Sequence, residues 1–237
     1  MKIIIAGASG FVATELVRQS LSHPKLTSVV ALARKPVAAP PNAGADASKL
    51  TSIVVKDYEH YPDDVKAAFA GADACIWTVA ITPSKSASMP FDEVKRVCQD
   101  CTMAGLGAIH AAGPATPFRF LYVSGIAAER DQAKTPSFRP EYSLMRGETE
   151  NKVLAFAAAH GIEAAAAKPG LITGPGVGNI VRNALAGAAR LAGVVPSADV
   201  RLLSAAMLDQ VLNGFETDEI MHADLIRIGE GVQAEQK

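Results

Sequence analysis

Met1-Lys2-Ile3-Ile4-Ile5-Ala6-Gly7-Ala8-Ser9-Gly10-Phe11-Val12-Ala13 is the stretch that decides the fold. Its unbroken apolar run from Ile3 to Ala6 is the pattern of a strand buried on both faces, and such strands belong to parallel sheets covered by helices. A glycine-bearing turn follows, and then Val12, Leu16, Val17 and Leu21 recur at helical spacing while Glu15, Arg18 and Gln19 fall elsewhere on the surface. A strand that turns through glycine into a helix start aims several backbone N–H groups and the positive helix end at one point. The predicted occupant is a ligand that carries phosphates.

Outward from this stretch, short β-rich runs alternate with helical patterns. Strands are predicted over 2–6, 28–33, 52–55, 73–79, 119–124, 162–167 and 224–229, and helices over 11–22, 62–70, 90–112, 141–160, 178–192 and 204–214. Residues 36–50, rich in Pro, Ala, Gly and Asn, read as a surface excursion. The alternation predicts an α/β fold: a doubly wound parallel sheet of the Rossmann type, in a single domain over 1–237.

Composition narrows the function classes. Lys and Arg total 23 against 24 Asp and Glu, a net charge of −1, so no broad basic field attracts nucleic acid or an anionic membrane. No apolar stretch reaches the ~20 residues that span a bilayer. Three cysteines build no disulfide framework and no signal-type leader opens the chain, so the expected setting is cytoplasmic. Cys98-Gln99-Asp100-Cys101 is a C-x-x-C inside a predicted helix, with no second pair and no histidine cluster, and reads as packing. The five histidines are scattered, and no metal site is expected. The helix over 90–112 offers Phe91, Val94, Val97, Cys98 and Cys101 to a second subunit, as in a homodimer, or to its own sheet; the stripe fits both.

A dinucleotide fingerprint uses one glycine for the turn, one for close approach to the pyrophosphate and a third small residue for helix packing, here Gly7, Gly10 and Ala13. Ser9, Phe11 and Val12 complete the cradle. An acid at the end of the second strand would hold the ribose 2′-OH of NAD, but this strand ends in Arg34-Lys35, which suits the 2′-phosphate of NADP. Asp57 is placed to accept from the adenine amino group with Tyr58 packed beside it, or to form a turn. Thr78, Val79 and Ala80 leave the fourth strand at the carboxyl-end crevice, where their backbone lines the cofactor.

Four segments resemble the short-chain dehydrogenase/reductase superfamily, most of all its atypical NAD(P)-binding branch with the NmrA-like and oxidoreductase-like Tat-interacting protein families. They are Gly7 to Ala13, Phe120-Leu121-Tyr122-Val123-Ser124, Tyr142 to Glu150, and Lys168-Pro169-Gly170-Leu171-Ile172. The resemblance implies that Ser124 anchors the substrate oxygen and that Tyr142 exchanges a proton with it. A Lys four residues after that Tyr would hold the nicotinamide ribose and lower the phenol pKa; Arg146 stands there instead. Arg146 shares the helix face of Tyr142 and is permanently cationic, but its planar fork would hold a ribose differently. Lys168 reads as a surface residue at a strand end, or as a replacement cation. Pro169, Gly170, Leu171 and Ile172 would close over the nicotinamide, and the segment from about 170 to 237 would shape the substrate pocket. With so little chain left, a compact, fairly apolar carbonyl compound is expected rather than a sugar nucleotide. A dinucleotide-binding sensor without turnover, and a non-redox isomerase, cyclase or lyase on the same fold, are the alternatives.

Overall fold

The structure, a computed structural model, describes residues 1–40, 46–175 and 196–235. Seven parallel strands form one sheet in the order β3-β2-β1-β4-β5-β6-β9. These are β1 (Lys2–Ala6), β2 (Ser28–Ala33), β3 (Leu50–Val54), β4 (Ala74–Trp77), β5 (Arg119–Val123), β6 (Glu163–Lys168) and β9 (Glu219–Met221). A separate parallel pair joins β7 (Leu171–Thr173) to β8 (Ser197–Asp199). The strand order reverses between β1 and β4, which Ile4 bridges by pairing with Val30 on one side and Cys75 on the other. That reversal opens the crevice at the carboxyl edge where ligands of such sheets bind.

The period-two alternation of the strands divides the core. Ile3 and Ile5 face one apolar cluster with Leu16 and Val17 of α1 (Phe11–Ser22) and Leu203 and Met207 of a later helix. Ile4 and Ala6 face the other, with Trp77, Phe120, Tyr122 and Leu106. Helix α1 buries Ala13, Leu16, Val17, Ser20 and Leu21, the predicted stripe, and ends just before Pro24. After it come α2 (Asp63–Ala67), α3 (Pro83–Ser86), α4 (Phe91–Lys95), a π turn (Arg96–Asp100), α5 (Cys101–Ala111), α6 (Pro140–His160), α7 (Val200–Asn213) and α8 (His222–Glu235).

Several boundaries correct the sequence reading. The predicted strand over 224–229 is helical: His222, Leu225, Ile228 and Gly229 are buried at helical spacing, and α8 packs on α7 so closely that a Cβ on Gly229 would lie 2.4 Å from the Leu202 carbonyl oxygen. The seventh strand is instead the short Glu219–Met221 segment paired with β6. The helix over 90–112 is broken in register by the π turn, the helix over 62–70 shortens to α2, and the fourth strand stops at Trp77. The predicted helix over 178–192 lies outside the described residues. No helix among the described residues is long and apolar enough to cross a membrane.

Helix α5 meets the sheet at a glycine. A Cβ on Gly105 would lie 2.1 Å from the Trp77 ring, which is fully buried in β4. Gly105→Ala is expected to destabilise the fold by about 1–3 kcal/mol through overpacking, seen as a lower denaturation midpoint at unchanged m-value.

Candidate active site

The turn after β1 is built for close approach. Gly7 takes φ +80°, and a Cβ there would lie 2.6 Å from Thr78 Oγ1. Thr78 in turn donates its hydroxyl to the Ala6 carbonyl at 2.7 Å, stitching the ends of β1 and β4 together. Gly10 N–H donates to the Gly7 carbonyl and Ala8 N–H to the Leu32 carbonyl, both at 2.8 Å. The first bond of α1 runs from Thr14 N–H to the Gly10 carbonyl, so the amides of Val12 and Ala13 lie ahead of the helical ladder. Among the described residues, a Cβ on Gly10 would meet only the Gly7 carbonyl oxygen, at 3.1 Å. A cavity of about 300 Å³ lies between this turn (Ala8, Ser9), α1 (Thr14, Val17) and the Pro36–Pro40 segment. Backbone amides, the positive helix end and an unfilled concavity suit a pyrophosphate.

Arg34 and Lys35 are exposed just past β2, beside that cavity, and neither forms an ion pair with the described residues. Asp57 is engaged in its own turn: it accepts from Glu59 N–H at 3.0 Å and contacts His60 Nδ1 at 2.9 Å. These two bonds, the backbone one first, hold its carboxyl below the ordinary range. Tyr58, expected to pack beside Asp57, has a structural role of its own. It is buried edge-on to Trp77 at 5.8 Å and donates its hydroxyl to the Leu32 carbonyl at 3.0 Å, bracing the glycine turn from beneath. Thr78, Val79 and Ala80 follow β4 directly, and Thr78 is bonded there through its side chain.

On α6, Tyr142 and Arg146 form a buried pair, 8 % and 5 % exposed. Arg146 Nη1 donates to the Tyr142 hydroxyl at 3.1 Å and Nη2 to the Val123 carbonyl at 2.8 Å. The guanidinium also lies 5.1 Å from the Tyr122 ring centroid and 5.9 Å from that of Tyr142. Tyr142 donates its own hydroxyl to the Ile81 carbonyl at 2.8 Å. The Ile81 N–H is held by Cys98 Sγ at 3.2 Å, so the π turn fixes the loop that leaves β4. The Tyr142 phenol pKa lies above its ordinary value, although Arg146 does pull it down. Burial raises it most, and the Arg146 charge and the weaker pull of Arg139 only partly offset that rise.

Ser124 does not turn to Tyr142. Its hydroxyl donates to Glu150 Oε1 at 2.5 Å. Glu150, fully buried, also takes Arg130 Nε at 2.8 Å and lies 3.5 Å from Lys168 Nζ. Lys168 is thus neither a surface residue nor a spare cation: it is 3 % exposed and donates to Glu219 Oε1 at 2.6 Å and the Ala128 carbonyl at 2.8 Å. Glu150 and Arg130 were missed by sequence reasoning. One signal was available, because Tyr142, Arg146 and Glu150 recur every four residues along one helix face. The loop that carries Arg130 lies flush on α6, where a Cβ on Gly147 would sit 1.7 Å from the Glu129 carbonyl oxygen.

The segment after β6 returns to the same edge. Gly170 N–H donates to His222 Nδ1 at 3.0 Å, and its missing side chain admits the Pro196 carbonyl, which would lie 2.2 Å from a Cβ. Leu171 and Ile172 enter β7. Two residues on, a Cβ on Gly174 would lie 2.7 Å from Val200 Cγ1 and 3.4 Å from Phe11 Cζ, so Pro169 to Gly174 leads back to the phosphate turn.

The fold and this edge define a Rossmann-type dinucleotide-binding protein. A family model described as NAD(P)H-binding matches residues 7–210, and the chain belongs to that family. No curated protein matches the chain significantly. Among solved structures, vestitone reductase from alfalfa is 18% identical, covers 93% of this chain and 76% of its own, and superposes with a TM-score of 0.68. DesIV, a dTDP-glucose 4,6-dehydratase from Streptomyces venezuelae solved with NAD and TYD bound, is 14% identical over 100% of this chain and 81% of its own, with a TM-score of 0.70. MoeE5 in complex with UDP-glucuronic acid and NAD is 18% identical over 93% and 75%, with a TM-score of 0.69. At these identities the likeness is one of fold, that of short-chain-dehydrogenase-like reductases, epimerases and dehydratases.

Two measurements test the electrostatics. All four tyrosines, Tyr58, Tyr61, Tyr122 and Tyr142, have phenols raised first of all by burial, Tyr58 to about 12. A raised phenol stabilises the fold fully below its unfolded value near ~10 and loses that contribution as pH climbs through the folded value. The native protein should therefore show almost no phenolate absorbance at about pH 10 and lose stability from there toward about pH 12. Lys168→Met, which leaves the buried carboxylate of Glu150 one cation short, should cost about 3 kcal/mol in denaturant unfolding.

Proposed function

We propose that this chain is an NADP(H)-dependent oxidoreductase that interconverts a compact carbonyl compound and its alcohol. The observation that carries the reading is the Tyr142–Arg146 pair: a phenol hydrogen-bonded to a permanent cation beside the segments that leave β4 and β5 at the carboxyl edge of the sheet. The turn and the α1 N-terminus would hold the pyrophosphate, with Arg34 and Lys35 neutralising a 2′-phosphate. The bound nicotinamide supplies or takes up the hydride.

The residues of the chain handle the proton. Reduction leaves negative charge on the substrate oxygen, and Tyr142, exchanging its Ile81 carbonyl partner for that oxygen, donates its hydroxyl proton there. A phenol raised by burial keeps its proton until so basic an acceptor arrives, and Arg146 then balances the phenolate. Ser124 would anchor the substrate oxygen by turning its hydroxyl proton from Glu150 to that oxygen. The single domain over 1–237 would use its segment from about 170 onward to close the substrate pocket.

One observation favours a second reading, a dinucleotide sensor without turnover: the Tyr142 hydroxyl is engaged by the Ile81 carbonyl. Calorimetric titration and steady-state turnover separate the two. NADPH should bind at least about tenfold more tightly than NADH, a preference abolished by Arg34→Ala with Lys35→Ala. Tyr142→Phe should lower kcat by about 10²-fold or more while NADPH still binds. Tight NADPH binding with no turnover on a carbonyl panel would favour the sensor.

A further inference from the structure

The Pro169–Gly170 peptide is held on both sides by groups far away in sequence. Its carbonyl accepts the Ile126 N–H at 3.0 Å, from the segment that follows Ser124, and its N–H donates to His222 Nδ1 at 3.0 Å. Beyond it, Leu171 N–H donates to the Pro196 carbonyl at 2.8 Å and β7 pairs with β8. At the far end of β7, a Cβ on Gly174 would touch the ring of Phe11, the first residue of α1. One imidazole thus fixes a peptide that is tied to the Ser124 segment on one side and leads to the phosphate turn on the other.

Only one form of His222 fits this place. A backbone donor facing Nδ1 requires a bare ring nitrogen, so the ring is neutral and carries its proton on Nε2. That nitrogen is buried without a hydrogen-bond partner, and the residue is 5% exposed. Protonation would set a second donor against the Gly170 N–H and place a buried cation at the first residue of α8, where the helix dipole opposes it. Charged groups on the surrounding elements are engaged elsewhere. Lys168 of β6 pairs with Glu219 of β9 at 2.6 Å, Arg201 of α7 with Asp199 at 2.9 Å, and Arg227 of α8 with Glu216. Asp209 of α7 accepts from Asn213 Nδ2 at 2.6 Å, and Asp224 of α8 from Met221 N–H at 3.2 Å. Burial is therefore unopposed and holds the imidazole pKa below its ordinary value.

We infer that His222 is a positioning residue for dinucleotide binding: in its neutral form it holds the Pro169–Gly170 peptide, and with it the path from Ser124 to the glycine turn, in the binding geometry. The inference rests on dinucleotide binding and not on turnover. A bound dinucleotide that requires the neutral ring lowers the ring's pKa further. Affinity is then complete above the free-state pKa and falls away as pH drops through it.

The test titrates NADP⁺ calorimetrically into the full chain, His222→Asn and His222→Leu from about pH 5 to about pH 8, a range that spans imidazole titration. Asn offers an acceptor oxygen in place of Nδ1 without titrating, and Leu removes the acceptor. The 2′-phosphate titrates alike in all three experiments, so ratios between chains cancel it. The parent-to-Asn ratio of Kd should stay near one above the ring's pKa and rise toward about tenfold for each pH unit below it. His222→Leu should bind about three- to tenfold more weakly than the parent at about pH 8, the scale of one hydrogen bond. Nitrogen NMR, with His222 identified by its loss in the Asn variant, should find the proton on Nε2 and a ring pKa that NADP⁺ lowers. A ring that serves packing alone would keep its pKa. Should His222→Leu fail to fold, the Asn comparison and the ring pKa decide. A ratio that stays near one throughout, full affinity in His222→Leu, or a pKa that NADP⁺ leaves unmoved overturns the inference and leaves dinucleotide binding standing. No NADP⁺ binding by the parent chain at any pH overturns both.

Discussion

The crevice depends on one close approach, that of the turn after β1 to the end of β4. Thr78 ties the two strands by its bond to the Ala6 carbonyl, and only a residue without a Cβ fits opposite it at Gly7. Parallel strands must be joined by crossovers, so where the order reverses no connection covers the carboxyl edge. The same geometry that opens the gap lays the start of α1 beside it, with backbone amides ahead of the helical ladder. Phosphate affinity therefore follows from topology before any side chain is chosen.

Helix α6 carries three residues at four-residue spacing that meet different electrostatic fates. Glu150 is fully buried and fully matched, by Ser124, Arg130 and Lys168. Arg146 is buried and only solvated, by a carbonyl, a hydroxyl and two aromatic rings. Tyr142 is buried beside Val94, Cys98 and Met145, with a proton that burial makes hard to remove. Matched charge anchors the loop carrying Arg130 to β6 and β9, while the Arg146 charge is held by neutral partners at the end of β5. Such an arrangement costs stability at Arg146, and the paired network begins one turn further on, at Glu150.

How much of this could be read beforehand differs by residue. Gly7, Gly10 and Ala13 were legible because their needs are local: a positive φ, an open approach, a small helix face. The parallel sheet with helices on both faces followed from alternation, and the α1 stripe from its period. The strand predicted over 224–229 failed because Leu225, Ile226 and Ile228 satisfy strand propensity as well as a helical stripe, and only packing against α7 chooses between them. The bonds of Tyr58 to the Leu32 carbonyl and the Trp77 ring were not legible for a similar reason, since an aromatic residue after a strand has no fixed partner until its neighbours are known.

By itself, the amino-acid order determined the alternating parallel architecture, the phosphate turn and the helix face that holds Tyr142 and Arg146, because each depends on short-range periodicity and backbone sterics. Tertiary structure alone decided where charge is balanced. Lys168 finds Glu219, Arg130 finds Glu150, and Tyr142 finds Ile81 across separations of 51, 20 and 61 residues. Burial and partner geometry, which set whether a charge is tolerated and which way a phenol titrates, exist only once those distant segments meet.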